Sequence, residues 1–136
     1  MSEKKRVLVV DDDRNERLET VLVLERTGFM IVEACDGLDA LSKMRLQHFD
    51  AVVTDFHMPH LNGLDLLAQS RLSWPDTPVI ILSKAQWDMS DIAIAKGAFA
   101  WIRKSSSSGV LVSMLATAVG KGVERDFTHE IQRVGA

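Results

Sequence analysis

The sequence predicts a doubly wound α/β fold on a five-stranded parallel sheet, and three observations carry that prediction. Five short β-rich runs recur along the 136 residues, stretches with helical spacing separate them, and the connections are short. Such alternation implies right-handed crossovers, and therefore helices on both faces of the sheet. With 46% apolar residues the chain suits one globular domain with a sizeable core.

The first strand is read at Val7 to Val10, and the first helix shows Leu18, Val21, Leu22 and Glu25 at helical intervals before Gly28 stops it. Met30 to Ala34 forms the second strand. Asp36-Gly37 then leads into a helix marked by Ala40, Leu41 and Met44. The third strand, Ala51 to Thr54, is followed by a helix that starts near Asn62-Gly63, faces inward with Leu64, Leu67 and Ser70, and breaks at Trp74-Pro75-Asp76. Val79 to Leu82 is the fourth strand, and its helix runs from about Trp87 to Lys96 with Gly97 as the stop. Phe99 to Ile102 is the fifth. Serines 105–108 precede the last helix, which carries Leu111, Met114, Leu115 and Ala118, and Ser107 or Ser108 is read as its cap.

No apolar run approaches the roughly 20 residues that span a bilayer. The amino terminus leads straight into a strand without a separate apolar signal region, and the lone Cys35 has no internal disulfide partner; both point to the cytoplasm. Cys35 reads as a small core residue. A net charge of −3 offers no general attraction for nucleic acid or an anionic membrane.

In doubly wound folds ligands sit outside the carboxyl ends of the strands, and here those ends carry Asp11, Asp12, Asp55, Ser83 and Lys104. Carboxylates gathered in one crevice repel one another, so either some are protonated or a cation neutralises them. An all-oxygen acidic site suits Mg²⁺. Mg²⁺ is usually held by one or two carboxylates together with phosphate oxygens, so Asp55 could attack phosphorus, with Lys104 supplying an ammonium to the transferred group. Asp13 is read as the start of the first helix. His57 and His60 flank Pro59 in a loop with no cysteine to complete a zinc set, and are expected to be exposed.

Val9-Val10-Asp11-Asp12, Asp55 followed by Met58-Pro59 and Gly63, Ser83 after the fourth strand and Lys104 after the fifth together resemble the response-regulator receiver domain, over residues 5–120. The resemblance implies the flavodoxin-like (βα)5 receiver fold. It also implies a phosphoacceptor of a two-component phosphorelay that catalyses only its own phosphorylation and dephosphorylation and is not otherwise an enzyme. Asp55 would take the phosphoryl group from a phosphohistidine on a sensor histidine kinase or phosphotransfer protein. Asp11, Asp12, Asp55 and the backbone carbonyl of His57 would hold the Mg²⁺. Lys104 and the Ser83 hydroxyl would bind phosphoryl oxygens, and Trp101 on the fifth strand would repack to switch the surface around the fourth helix, fifth strand and fifth helix. An aromatic in a β-rich run is also what a plain core would contain.

Three departures from the family pattern carry expectations. Lys104-Ser105 replaces the frequent Lys-Pro, and since a non-proline cis bond costs roughly 2.5–4 kcal/mol, a trans bond, a rearranged Lys104 loop and an altered start to the fifth helix are expected. Lys84 and Ala85 follow the switch hydroxyl as modulators. The second ammonium predicts an altered phosphate lifetime, which unchanged decay in Lys84→Ala would refute. Trp101 is larger than the usual tyrosine or phenylalanine, which predicts a crowded inward rotamer.

Residues 1–120 are read as the receiver domain and residues 121–136 as a helical extension or linker. Val119, Val123, Phe127 and Ile131 have helical spacing, which makes a homodimer a candidate. No DNA-binding or catalytic effector fits that length, so the output is either an unknown downstream protein or an effector domain missing from this chain. A haloacid dehalogenase-type phosphatase normally has a second Asp where this chain has His57, and Asp11-Asp12-Asp13 repels phosphate where a flavodoxin-like nucleotide module would cradle it. The alternative that stays open is a receiver-like interaction module that works without phosphorylation.

Overall fold

The structure, a computed structural model, describes residues 4–84 and 88–120. Ala85, Trp87 and the 121–136 extension therefore lie outside the described residues. Five strands and five helices alternate: β1 (Arg6–Val10), α1 (Arg14–Arg26), β2 (Met30–Ala34), α2 (Gly37–Leu46), β3 (Ala51–Asp55), α3 (Gly63–Ser73), β4 (Val79–Ser83), α4 (Ser90–Ala95), β5 (Ala100–Arg103) and α5 (Ser108–Ala118). All strand pairs are parallel, in the order β2-β1-β3-β4-β5.

In β1, β3, β4 and β5 the near-continuous apolar runs follow from burial on both faces, whereas the edge strand β2 is mostly half-buried. Leu8, Val10, Val52, Val79, Ile81 and Trp101 point into one core layer, which α2, α3 and α4 cover with Ala40, Leu41, Met44, Leu66, Leu67 and Ala93. Their neighbours Val7, Val9, Ala51, Val53, Ile80, Leu82 and Ile102 point to the other face, where α1 and α5 contribute Val21, Leu24, Leu111, Met114 and Leu115. The chain leaves β1 toward β2 on one side and β3 toward β4 on the other, so the strand order reverses between β1 and β3. That reversal opens a crevice beyond the carboxyl ends of these two strands.

Helix starts are fixed by side chains. Asp13 accepts from the Glu16 N–H, Asp36 from Asp39 and Asn62 from Asp65. Gly28, with φ +96°, ends α1 as expected. The inner face of α1 differs from the sequence reading: Leu18 and Leu22 are exposed, and the inner stripe runs through half-buried Arg17 and buried Val21 and Leu24. Arg17 turns inward because its guanidinium donates to the Asp11 carbonyl at 2.7 Å and to Glu33 at 2.9 Å, and a polar residue on the covered face concealed the phase of the helix. In α3, Leu66 and Leu67 are buried and Leu64 only partly so.

Cys35 is exposed rather than in the core. It follows Ala34, the last buried residue of β2, in the turn capped by Asp36. α4 begins at Ser90, later than read, where Asp88 Oδ1 accepts the Ser90 N–H at 2.8 Å. Among the described residues every peptide bond is trans, Lys104-Ser105 included. Ser107 stands at the N-cap of α5 but makes no side-chain capping bond. No helix among the described residues is long and apolar enough to cross a membrane.

Candidate functional site

The sheet brings Asp11, Asp12 and Asp55 together: one carboxylate oxygen from each lies within 4.8 Å of the others. Asp11 continues β1, its N–H bonded to the Ala34 carbonyl, and it is 3% exposed. Its Oδ1 accepts the Asp13 N–H at 2.9 Å. Asp12 is exposed at the rim. Asp55 closes β3 with only 8% of its surface accessible, and the following residue, Phe56, stays in register by donating to the Leu82 carbonyl.

Lys104 reaches into this cluster from the end of β5. Its Nζ lies 2.8 Å from Glu16 Oε1, 3.0 Å from Asp11 Oδ2 and 3.3 Å from Asp55 Oδ1. Its backbone N–H bonds the carbonyl of Ser83, so the hydroxyl-bearing end of β4 and the lysine are tied to each other. Ser83 is buried beside Asp55's strand, one residue beyond Leu82, the register partner of Asp55.

Trp101 is inward and 1% exposed, its ring centroid 5.3 Å from that of Phe56 at a 58° tilt. It shares its core layer with the small residues Ala93 and Ala98. His57 and His60 are exposed. The His57 ring stacks on Phe56 at 5.5 Å, and His57 and Asp12 line one shallow groove.

Burial pushes the Asp55 carboxyl up to about 6, and the charges of Asp11 and Glu16 add to that effect while Lys104 opposes it. At neutral pH Asp55 is therefore mainly ionised. Burial pulls Lys104 down, but its hydrogen bond to Glu16 and the charges of Asp55 and Asp11 outweigh this and hold it above the usual lysine range.

Glu16 is the residue that sequence reasoning missed. It binds Lys104 with one oxygen and Lys84 with the other, at 2.6 Å to Lys84 Nζ. Lys84 is thus not an isolated ammonium beside the site. An available signal was the Asp13-x-x-Glu16 spacing, which marks a carboxylate at the third helical position.

The donor set fits a hard divalent cation: three carboxylates, no sulfur, and two of the acids, Asp11 and Asp55, buried against Lys104. Four carboxylates face two ammonium groups, which leaves the pocket with negative charge in excess.

Gly63 fixes the floor of the site. Its N–H bonds the Phe56 carbonyl at 2.8 Å, and a Cβ there would lie 2.8 Å from the Asp55 carbonyl oxygen and 3.0 Å from Phe56 Cα. Backbone cannot swing aside as a side chain can. Gly63→Ala is expected to lose about 1–3 kcal/mol in urea unfolding, and a loss below 0.5 kcal/mol, taken as roughly the surface-substitution range, would show that α3 shifts freely.

A family model for the response regulator receiver domain matches residues 7–116. The chain belongs to that family. This receiver is 34% identical over 131 residues to the transcriptional regulatory protein CseB of Streptomyces avermitilis, covering 95% of this chain and 53% of that protein. It is 36% identical over 80 residues to the CAI-1 autoinducer sensor kinase/phosphatase CqsS of Vibrio cholerae, covering 57% of this chain and 12% of CqsS. The chain thus spans about half or less of the length of these curated relatives. Among solved structures, the response regulator protein TrrA from Thermotoga maritima in complex with Mg²⁺-BeF aligns with a TM-score of 0.78 at 30% identity, over 84% of this receiver and 98% of TrrA. Receivers bind Mg²⁺ at an acidic pocket and interact with sensor histidine kinases or phosphotransfer proteins.

Proposed function

We propose that this receiver is a phosphoacceptor whose Asp55 carboxylate takes the phosphoryl group of a phosphohistidine. The observation that carries this reading is the convergence of Asp55, two further carboxylates and the Lys104 ammonium at the β1/β3 crevice. An Asp55 oxygen forms the new O–P bond as the P–N bond breaks, and the electron pair returns to the imidazole nitrogen. Asp11, Asp12, Asp55 and the His57 backbone carbonyl would hold Mg²⁺, which when bound supplies charge neutralisation to the transferring oxygens. Lys104 stabilises one phosphoryl oxygen and the Ser83 hydroxyl bonds another.

Drawing Ser83 toward the phosphoryl group alters the end of β4, where the Leu82 carbonyl accepts the Phe56 N–H and Ile81 is the register partner of Trp101. Repacking of Trp101 then changes the α4-β5-α5 surface that a downstream partner reads. The composition supports action in the cytoplasm, with residues 1–120 as the receiver unit.

Intact mass after incubation with Mg²⁺ and acetyl phosphate tests this. One phosphoryl adduct that disappears in Asp55→Ala and without Mg²⁺ is expected. No adduct on the folded protein would leave the phosphorylation-independent interaction module as the better reading.

A further inference from the structure

Glu16 departs from the role its position predicts. In α3 the third helical residue, Asp65, completes a capping box by accepting the Asn62 N–H at 3.1 Å while Asn62 accepts the Asp65 N–H. In α1 only half of that box exists. Asp13 accepts the Glu16 N–H at 3.0 Å, but the Asp13 N–H is already bonded to Asp11 Oδ1. The Glu16 carboxylate is therefore released from capping, and it turns to the two lysines, Lys104 at 2.8 Å and Lys84 at 2.6 Å. These lysines line a cleft of about 460 Å³ between α1 and the β5-α5 connection, with Glu16 and Glu19 on its α1 wall.

We propose that Glu16 is a built-in competitor for the phosphoryl-binding ammonium groups: its carboxylate holds Lys84 and Lys104 in the unphosphorylated chain and yields them when Asp55 is phosphorylated. This rests on the phosphoacceptor reading of Asp55. Glu16 acts through the lysines and is a positioning residue. Lys84, 66% exposed and on a flexible stem, is the one that can change partner at little steric cost. A dianionic phosphoryl group outbids a single carboxylate, so the exchange runs in that direction only while the phosphoryl group is present. Before phosphorylation Glu16 both occupies the lysines and adds a negative charge that opposes an anionic donor.

The test is the rate of Asp55 adduct formation with acetyl phosphate and Mg²⁺, followed by intact mass for wild type, Glu16→Gln, Lys84→Ala and the double variant. Glu16→Gln is expected to be phosphorylated about 3- to 10-fold faster, from removal of one close like charge. That gain is expected to shrink to under about 2-fold when Lys84 is already alanine, since contacting residues couple in a double-mutant cycle. A merely structural Glu16 would lower the melting temperature without raising the rate, and a charge acting only through space would give the same gain in both backgrounds. Either result overturns the competitor. Wild type that is phosphorylated at the same rate as Glu16→Gln overturns it alone, whereas wild type that takes up no phosphoryl group overturns it together with the phosphoacceptor reading.

Discussion

Lys104→Met should lose stability in a strongly pH-dependent way: about 2–3 kcal/mol at pH 8 by urea unfolding, and much less at pH 5. The methionine keeps most of the side-chain volume and removes the ammonium that lies within 3.3 Å of Asp55, Asp11 and Glu16. Breaking a buried pair leaves an uncompensated charge, a cost of about 3–5 kcal/mol, and the 15% exposure of the Lys104 side chain reduces it somewhat. The pH dependence comes from Asp55. Its folded value of about 6 lies above the ordinary 3.8, so between these values the native state binds more protons than the unfolded chain and stability falls as pH rises. Without Lys104, the largest influence that lowers the Asp55 value is gone and the window extends to higher pH. The difference between variant and wild type therefore opens above pH 6. Lys104 itself, held above the usual lysine range, stays protonated across pH 5–8 and contributes no slope there. A loss that is equal at pH 5 and pH 8, measured without divalent cations, would mean that Lys104 acts through Asp11 and Glu16 rather than through the ionisation of Asp55.

The same electrostatics connects stability with function. Where four acids face two lysines, like charges repel one another, and a divalent cation would relieve that repulsion. Local rules fail here where they hold elsewhere in the chain. Asp13 caps α1 in the ordinary way, yet Glu16, which should complete that cap, serves the lysines.

The strands other than the edge strand β2 were legible because burial on both faces makes each a nearly unbroken apolar run, and the site was legible because Asp11, Asp55, Ser83 and Lys104 each stand at or just beyond a run's end. Periodicity alone placed α1 in the wrong phase, since inward-facing Arg17 is polar and outward-facing Leu18 and Leu22 are apolar. Glu16 was hidden for a different reason. Its partner Lys104 is 88 residues away, and nothing in a local window distinguishes a capping glutamate from one that reaches a lysine across the crevice. Cys35 was misplaced by residue type, because cysteine is usually buried, whereas its position just past the end of β2 governs.

Trp101→Ala is expected to cost about 3–5 kcal/mol in urea unfolding, the largest effect of any substitution near the site. The indole is 1% exposed in the layer that also holds Val79, Ile81 and Ala93, and it packs against Phe56, the residue after Asp55. Ala93 and Ala98 are too small to collapse into the space it would leave, so a cavity would remain beside the β3 end. Trp101→Phe removes less volume and should cost about 1–2 kcal/mol while keeping an aromatic contact with Phe56. This pair of variants separates core from switch. If Trp101 only fills space, Trp101→Phe binds a downstream partner as wild type does once phosphorylated. If its repacking carries the signal, Trp101→Phe remains folded and phosphorylated at the wild-type rate, yet the gain in partner affinity on phosphorylation changes by several-fold, because the smaller ring alters the energy gap between the two packings rather than the chemistry at Asp55.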